Sequence, residues 1–207
     1  ARQWSVHAQK CKCGSLFLVS LEERGHAVTV VDCLTVDIPS QLHKPQFAYP
    51  KGKAPGALDA LAQAIDEADA YVMISPEYNH APSPVLLNLL NHFPSSIFSY
   101  KPSAICCYSA GQWGGARAAV GLRPVLSELG CLPVSAMLQV PRCGKVFDEK
   151  GFLSEGEDPD HWLGYFNRTF AQLEWWAAAC KTHRQHIDPF AASPAFDKAP
   201  TQRNAPS

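Results

Sequence analysis

Apolar and polar positions along this chain switch between two periods, and the switches mark out its elements. Leu58, Leu61, Ala62 and Ile65 recur on one helix face and predict a helix over 57–69. The apolar run Ala70-Tyr71-Val72-Met73-Ile74 that follows predicts a strand. Val85, Leu86, Leu89, Leu90 and Phe93 form the stripe of a second helix, and Pro82 or Pro84 suits its first turn. Ala104–Tyr108 reads as the next strand. Ala116, Ala119, Leu122, Leu126 and Leu129 carry a helix that closes at Gly130, with a kink expected at Pro124. Val134–Val140 is the last strand. Trp162, Tyr165, Phe166, Phe170, Leu173, Trp176 and Ala177 then make a wide stripe on a final helix over 159–183.

Upstream, the composition of Trp4–Arg24 suits a helix ended by Gly25, and valine-rich His26–Asp32 suits a strand. Cys33–Gly56 carries prolines and little periodicity, so it predicts a long irregular connection of the kind that serves as a lid or binding loop. Alternating strands and helices imply one α/β domain over residues 1–187, with a doubly wound parallel sheet covered on both faces. From Asp188 the chain is Pro-, Ala- and Ser-rich without periodicity, which predicts a disordered tail over 188–207. Such folds normally open on a central strand, yet the first element here reads as a helix and residues 1–5 offer no strand. The first strand is therefore expected to be missing and the domain N-terminally truncated.

Composition narrows the function. The 207 residues suit one domain, and 46% apolar residues with a net charge of -1 give no electrostatic case for nucleic acid or an anionic membrane. Apolar runs fall short of the roughly 20 residues a bilayer span needs, so a cytoplasmic protein is expected. Among the eight cysteines, Cys106 and Cys107 point to opposite faces of a strand and behave as small hydrophobes. Cys11-Lys12-Cys13 lacks C-x-x-C spacing and His183-x-x-His186 reads as a solvated helix end, so no metal site is expected.

The two central strands end in unusual turns. One is Ser75-Pro76-Glu77-Tyr78-Asn79; the other runs Ser109-Ala110-Gly111-Gln112-Trp113-Gly114-Gly115-Ala116-Arg117. Both fall at the carboxyl edge of the sheet, where open α/β folds bind ligands. They therefore predict one shared site, and the glycines allow close backbone approach to a ligand. Arg117 lies in a first helical turn, where the dipole disfavours a cation. That implies an anionic partner, either an acidic side chain across a dimer interface or the phosphate of a pyridine nucleotide, with plain solvent exposure as the alternative. His80 invites a general-acid role, but no Ser/His/Asp or hydrolase constellation accompanies it.

Together with Lys101-Pro102, these two motifs resemble the NADPH-dependent FMN reductase family of flavodoxin-like proteins, which includes quinone, azo-dye and chromate reductases. The resemblance implies a sheet ordered 2-1-3-4-5, FMN as cofactor and NADPH or NADH as reductant. It implies hydride passing through flavin N5, with no catalytic side chain needed. The acceptor would be a quinone, an azo compound, a metal oxyanion or free flavin. By the same resemblance Pro76, Glu77, Tyr78 and Asn79 run beside the flavin ring, while Ser109, Gly111, Gln112, Trp113, Gly114 and Gly115 line its other side. Arg2 and Ser5 stand for the surviving half of a phosphate loop. A homodimer or homotetramer is implied as well. The alternative is a flavodoxin-like scaffold that has lost its cofactor and acts as a binding or regulatory protein; its case rests on the absent strand and half loop.

Overall fold

The computed structural model describes the backbone of residues 2–8 and 14–192. In chain order the strands are β1 (Arg2–Ala8), β2 (His26–Asp32), β3 (Ala70–Tyr78), β4 (Ala81–Pro82), β5 (Ser103–Tyr108) and β6 (Leu138–Val140). The α-helices are α1 (Gly14–Glu23), α2 (Leu58–Glu67), α3 (Pro84–Asn91), α4 (Ala116–Glu128), α5 (Cys143–Val146), α6 (Pro159–His186) and α7 (Pro189–Ala192). The sheet runs β2-β1-β3-β5-β6, all parallel, with the short β4 returning antiparallel along β3.

Alternate residues of the central strands feed two separate cores. Ala70, Val72, Ile74, Ala104 and Cys106 pack with Phe17 of α1 and Phe166, Phe170 and Leu173 of α6. Tyr71, Met73, Ile105 and Cys107 pack with Ile65 of α2, Leu89 of α3 and Leu122 of α4. Burial on both faces explains why β3 and β5 are continuous apolar runs rather than alternating ones. Among the described residues, no helix is long and apolar enough to cross a membrane.

The structure corrects the expectation of a missing first strand. Arg2–Ala8 forms β1 at the centre of the sheet, and α1 begins only at Gly14 instead of spanning 4–24. β1 pairs along its whole length with His26–Asp32 of β2, and from Trp4 to Ala8 with Ala70–Ile74 of β3. With Val6 as its single β-branched residue the segment has little intrinsic strand preference, and pairing on both sides decides the outcome.

The connection 33–56 is irregular as expected, apart from one 3-10 turn at Gln46–Ala48, whereas the end of the chain differs from expectation. The connection 33–56 is stitched to its neighbours: Asn88 Nδ2 donates to the Pro39 carbonyl at 2.9 Å, the Gln46 amide to the His92 carbonyl at 2.8 Å, and Gln46 Nε2 to Asp59 Oδ1 at 2.7 Å. At the other end of the chain, α7 packs Phe190 edge-on against Tyr100 at 5.8 Å between ring centroids. Residues 188–192 thus belong to the folded body, and 193–207 lie outside the described residues.

Candidate functional site

β3 does not stop where its apolar run stops. It continues through Ser75, Pro76 and Glu77 to Tyr78, and then Asn79 (φ 50°) and His80 (φ 64°) turn the chain into β4. Positive φ at both central residues is the signature of a two-residue type I′ hairpin, and Glu77↔Pro82 and Tyr78↔Ala81 are its pairs. Neither residue is glycine, so the turn stores backbone strain. It is held by Ser75, whose hydroxyl accepts the Ser83 amide at 2.8 Å and donates to the Pro76 carbonyl at 2.8 Å. Among the described residues β1 pairs no further than Ile74 and Pro76 is paired on the β5 side alone, a position that tolerates proline.

The second bend leaves β5 directly beside the first, since Pro76 pairs with Tyr108. Its glycines differ in role. A Cβ on Gly115 (φ 82°) would lie 2.7 Å from Cys107 Cβ, and one on Gly114 (φ 60°) would lie 2.8 Å from the Pro141 nitrogen. These two are forced by the protein's own backbone, not by a ligand as the sequence suggested. Gly111 has open space, meeting only Ser109 Oγ at 3.9 Å. The bend is also laced to the turn after β6. Cys143 N–H donates to the Ser109 carbonyl and Arg142 N–H to the Gly111 carbonyl, both at 3.0 Å.

One carboxylate joins the two bends. Glu77 Oε2 accepts the backbone N–H groups of Arg117 at 3.0 Å and Ala118 at 3.1 Å, in the first turn of α4. Its side chain is 8% exposed. Glu77 Oε1 lies 3.9 Å from Arg117 Nη1, and the Arg117 guanidinium sits 5.7 Å from the Trp113 ring centre. The anion that Arg117 needs in a first helical turn is therefore supplied within the same chain. Burial, and then the neighbouring Glu77 charge, pushes the Cys107 thiol up to about 12. Burial likewise raises the Tyr108 hydroxyl, with Tyr78 adding to the effect.

The surface above these bends is partly open. Tyr78 is 50% exposed and Trp113 60% exposed, and Gln112 and Asn79 are exposed beside them. Among the described residues, no acceptor is provided for the backbone N–H groups of Gly111 to Gly115. Such a run of unengaged donors over a glycine with room at its Cβ can meet the polar edge of a flat ring.

Sequence motifs and site do not coincide everywhere. Arg2 and Ser5 lie within β1 rather than in a loop, because their backbone is paired on the β2 side and, for Ser5, on the β3 side as well. This overturns their reading as a phosphate loop; the β1–α1 connection, residues 9–13, lies outside the described residues. Lys101-Pro102 sits at the opposite, amino edge, where Lys101 Nζ donates to the carbonyls of Ile65, Asp66 and Ile97. The connection 33–56 leaves β2 at one end of the sheet, whereas Arg142 follows β6 at the other. Four strand spacings, roughly 19 Å, separate those strands, so Arg142 does not adjoin the start of that connection.

The sequence profile of the NADPH-dependent FMN reductase family matches residues 12–143, more than half of the chain. The protein belongs to the NADPH-dependent FMN reductase family. An NAD(P)H-dependent FMN reductase of Pseudomonas aeruginosa is 35% identical over 103 residues, 48% of this chain and 56% of that protein. A quinone reductase of Escherichia coli is 37% identical over 81 residues, 38% of this chain and 43% of that protein. The chain thus spans about half the length of the curated relatives it matches. Among solved structures, the flavoenzyme NAD(P)H:(acceptor) oxidoreductase FerB from Paracoccus denitrificans superposes with a TM-score of 0.65 at 18% identity, covering 84% of this chain and 98% of FerB. RosB, with a bound riboflavin-5′-phosphate derivative, gives 0.68 at 15% identity over 100% of this chain and 94% of RosB. At those identities the superpositions show a shared fold.

Within this family frame, both bends fall in the matched segment. The sequence reading overlooks Ser83 altogether, and it names His80 and Ser75 without their roles: His80 completes the hairpin turn, and Ser75 and Ser83 anchor it. Asparagine followed by a polar residue between two short extended runs was the available signal.

Proposed function

We propose that this protein is an FMN-dependent oxidoreductase that takes hydride from NADPH or NADH and delivers two electrons to a quinone, azo compound, metal oxyanion or free flavin. The reading is carried by the pair of bends at the carboxyl edge, locked together by Glu77, in which the N–H groups of Gly111 to Gly115 meet no acceptor among the described residues. Family membership and the names of the relatives support it.

Bound there, FMN would supply the hydride-transfer chemistry, as flavins do without a protein nucleophile or base. The chain's own residues would bind and orient. Pro76 to Asn79 would border one side of the ring through the rigid hairpin, and Ser109, Gly111, Gln112 and Trp113 the other. Gly114 and Gly115 would set the path of the turn. Half-exposed Tyr78 and Trp113 would shield the site from water and offer flat surfaces to a nicotinamide or a quinone. We further propose that the protein works in the cytoplasm as a homodimer, with α3 and α4 at the contact.

The test is direct. The purified chain, incubated with FMN and desalted, should be yellow and should oxidise NADPH when a benzoquinone is supplied. A chain that stays colourless at millimolar FMN refutes the assignment. The cofactor-free scaffold loses one of its two grounds, since the strand whose absence motivated it is β1; the other, the half phosphate loop, falls at residues 9–13, outside the described residues.

A further inference from the structure

Resting on the flavin reading, we propose that Glu77 is a positioning residue. Its carboxylate locks the β3–β4 hairpin to the glycine turn before α4 and so sets flavin affinity from outside the flavin's contacts. Four observations converge on it. The N-cap of α4 is Gly115, which has no side chain to offer the first-turn amides. Those of Arg117 and Ala118 are instead met by one oxygen from a residue 40 and 41 positions earlier in the chain. An ordinary cap comes from the adjacent residue and secures only its own helix, whereas this one also secures a strand end.

The carboxylate is close to fully buried, and it faces the positive end of the α4 dipole, where a negative charge is stabilised. Its second oxygen faces the Arg117 guanidinium that lies over Trp113, so the placing of that exposed ring depends on it too. Finally, Gly115 is wedged against Cys107 and Gly114 against Pro141, which fixes the glycine turn to the sheet from below. Glu77 fixes it to the hairpin from the side. Two bends that must present one flat surface are thereby held as a single body. The side chain is committed to α4, so the role differs from that of a flavin ligand.

Three variants test this in the full chain: Glu77→Ala, Glu77→Gln, and Asp158→Ala as a control. Asp158 caps α6, its Oδ1 accepting the Asp160 and His161 amides at 3.0 and 3.3 Å, and it makes no hydrogen bond to either bend among the described residues. FMN dissociation constants are read from quenching of flavin fluorescence, and stability from urea midpoints. Glu77→Ala should weaken FMN binding about tenfold. Glu77→Gln keeps one acceptor oxygen without the charge and should recover part of that loss. Asp158→Ala should lower stability by a similar amount and leave FMN affinity unchanged. Equal FMN affinity in wild type and Glu77→Ala overturns the proposal, as does an equal loss in Asp158→Ala. If the alanine variant is insoluble, the Glu77→Gln comparison decides, and affinity matching wild type overturns the proposal.

A flavin-free arm separates this proposal from the flavin reading. In the apo protein, amide hydrogen exchange at Arg117 and Ala118 should speed up at least about tenfold in Glu77→Ala, because each amide loses its acceptor. Unchanged exchange refutes the lock even if FMN binds. Faster exchange in a chain that never binds FMN upholds the lock and refutes the flavin reading.

Discussion

The two edges of the sheet use similar residues to opposite ends. At the amino edge, every polar group that matters is consumed. Lys101 Nζ and the Tyr71 hydroxyl converge on the carbonyls of Ile65 and Ile97, while Lys181 and Arg184 pair with Asp69 and Arg184 also donates to the Tyr100 carbonyl. At the carboxyl edge, Glu77 and Arg117 are likewise paired, but among the described residues the backbone of the glycine turn is left with donors to spare. Buried polar groups that satisfy one another make a rigid joint, and unspent ones make a place for something else. A lysine in a family-like motif therefore carries no weight as a site residue until its partners are known.

That contrast can be broken most severely at Gly115. Gly115→Val adds a left-handed conformational penalty to a collision with Cys107, and should cost on the order of 3 kcal/mol by urea denaturation along with FMN binding. A variant of wild-type stability would show that the turn is not wedged.

Next comes Lys101→Met, which takes the lysine's donors away from three carbonyls, two of them shared with the Tyr71 hydroxyl, and should cost about 2 kcal/mol while leaving FMN affinity unchanged. Its pH dependence sharpens the point. Burial, the largest influence, pulls the Lys101 ammonium down from 10.5 to about 8. Between those values the unfolded chain binds more protons than the folded one, so this residue's contribution to stability rises with pH. The margin of wild type over Lys101→Met should widen from pH 8 toward 10.5. Cys33, Cys107 and Cys131, each pushed up to about 12 mainly by burial, act in the other direction above pH 9. Cys33 and Cys107 are common to both proteins and cancel in the difference, whereas Cys131 also feels the Lys101 charge, which pulls its thiol down in wild type alone.

Ser75→Ala removes the hydroxyl that anchors the hairpin and should cost about 1 kcal/mol, with a smaller loss of FMN affinity than Glu77→Ala. Trp113→Ala is the mildest for stability, within about 0.5 kcal/mol, because the ring is mostly exposed. Its effect should appear in turnover and in the KM for NADPH. A Trp113 variant that unfolds, or a Lys101 variant that loses FMN first, would erase the distinction between the edges.

Much of this architecture is legible in the sequence because β3 and β5 are buried on both faces and their helices carry clean stripes. β1 is not legible, since Arg2–Ala8 has the composition of neither a strand nor a loop and is specified by its neighbours. The extension of β3 past Ile74 is hidden by Pro76, a residue that normally interrupts a strand but is harmless where, among the described residues, the strand is paired on the β5 side alone. For the site, the sequence shows two unusual bends at one edge and glycines suited to close backbone approach within the second. It does not reveal what forces the glycines, which is Cys107 and Pro141, nor that Glu77 reaches α4. Those facts depend on contacts between distant parts of the chain, to which local pattern is blind.

The connection 33–56 carries a consequence for recognition. Tied down at Pro39, Gln46 and the residues they meet, the longest irregular stretch of the chain surrendered its conformational freedom when the protein folded. A molecule that meets the connection at those tied points finds it already ordered, so less of its binding energy is diverted to that task.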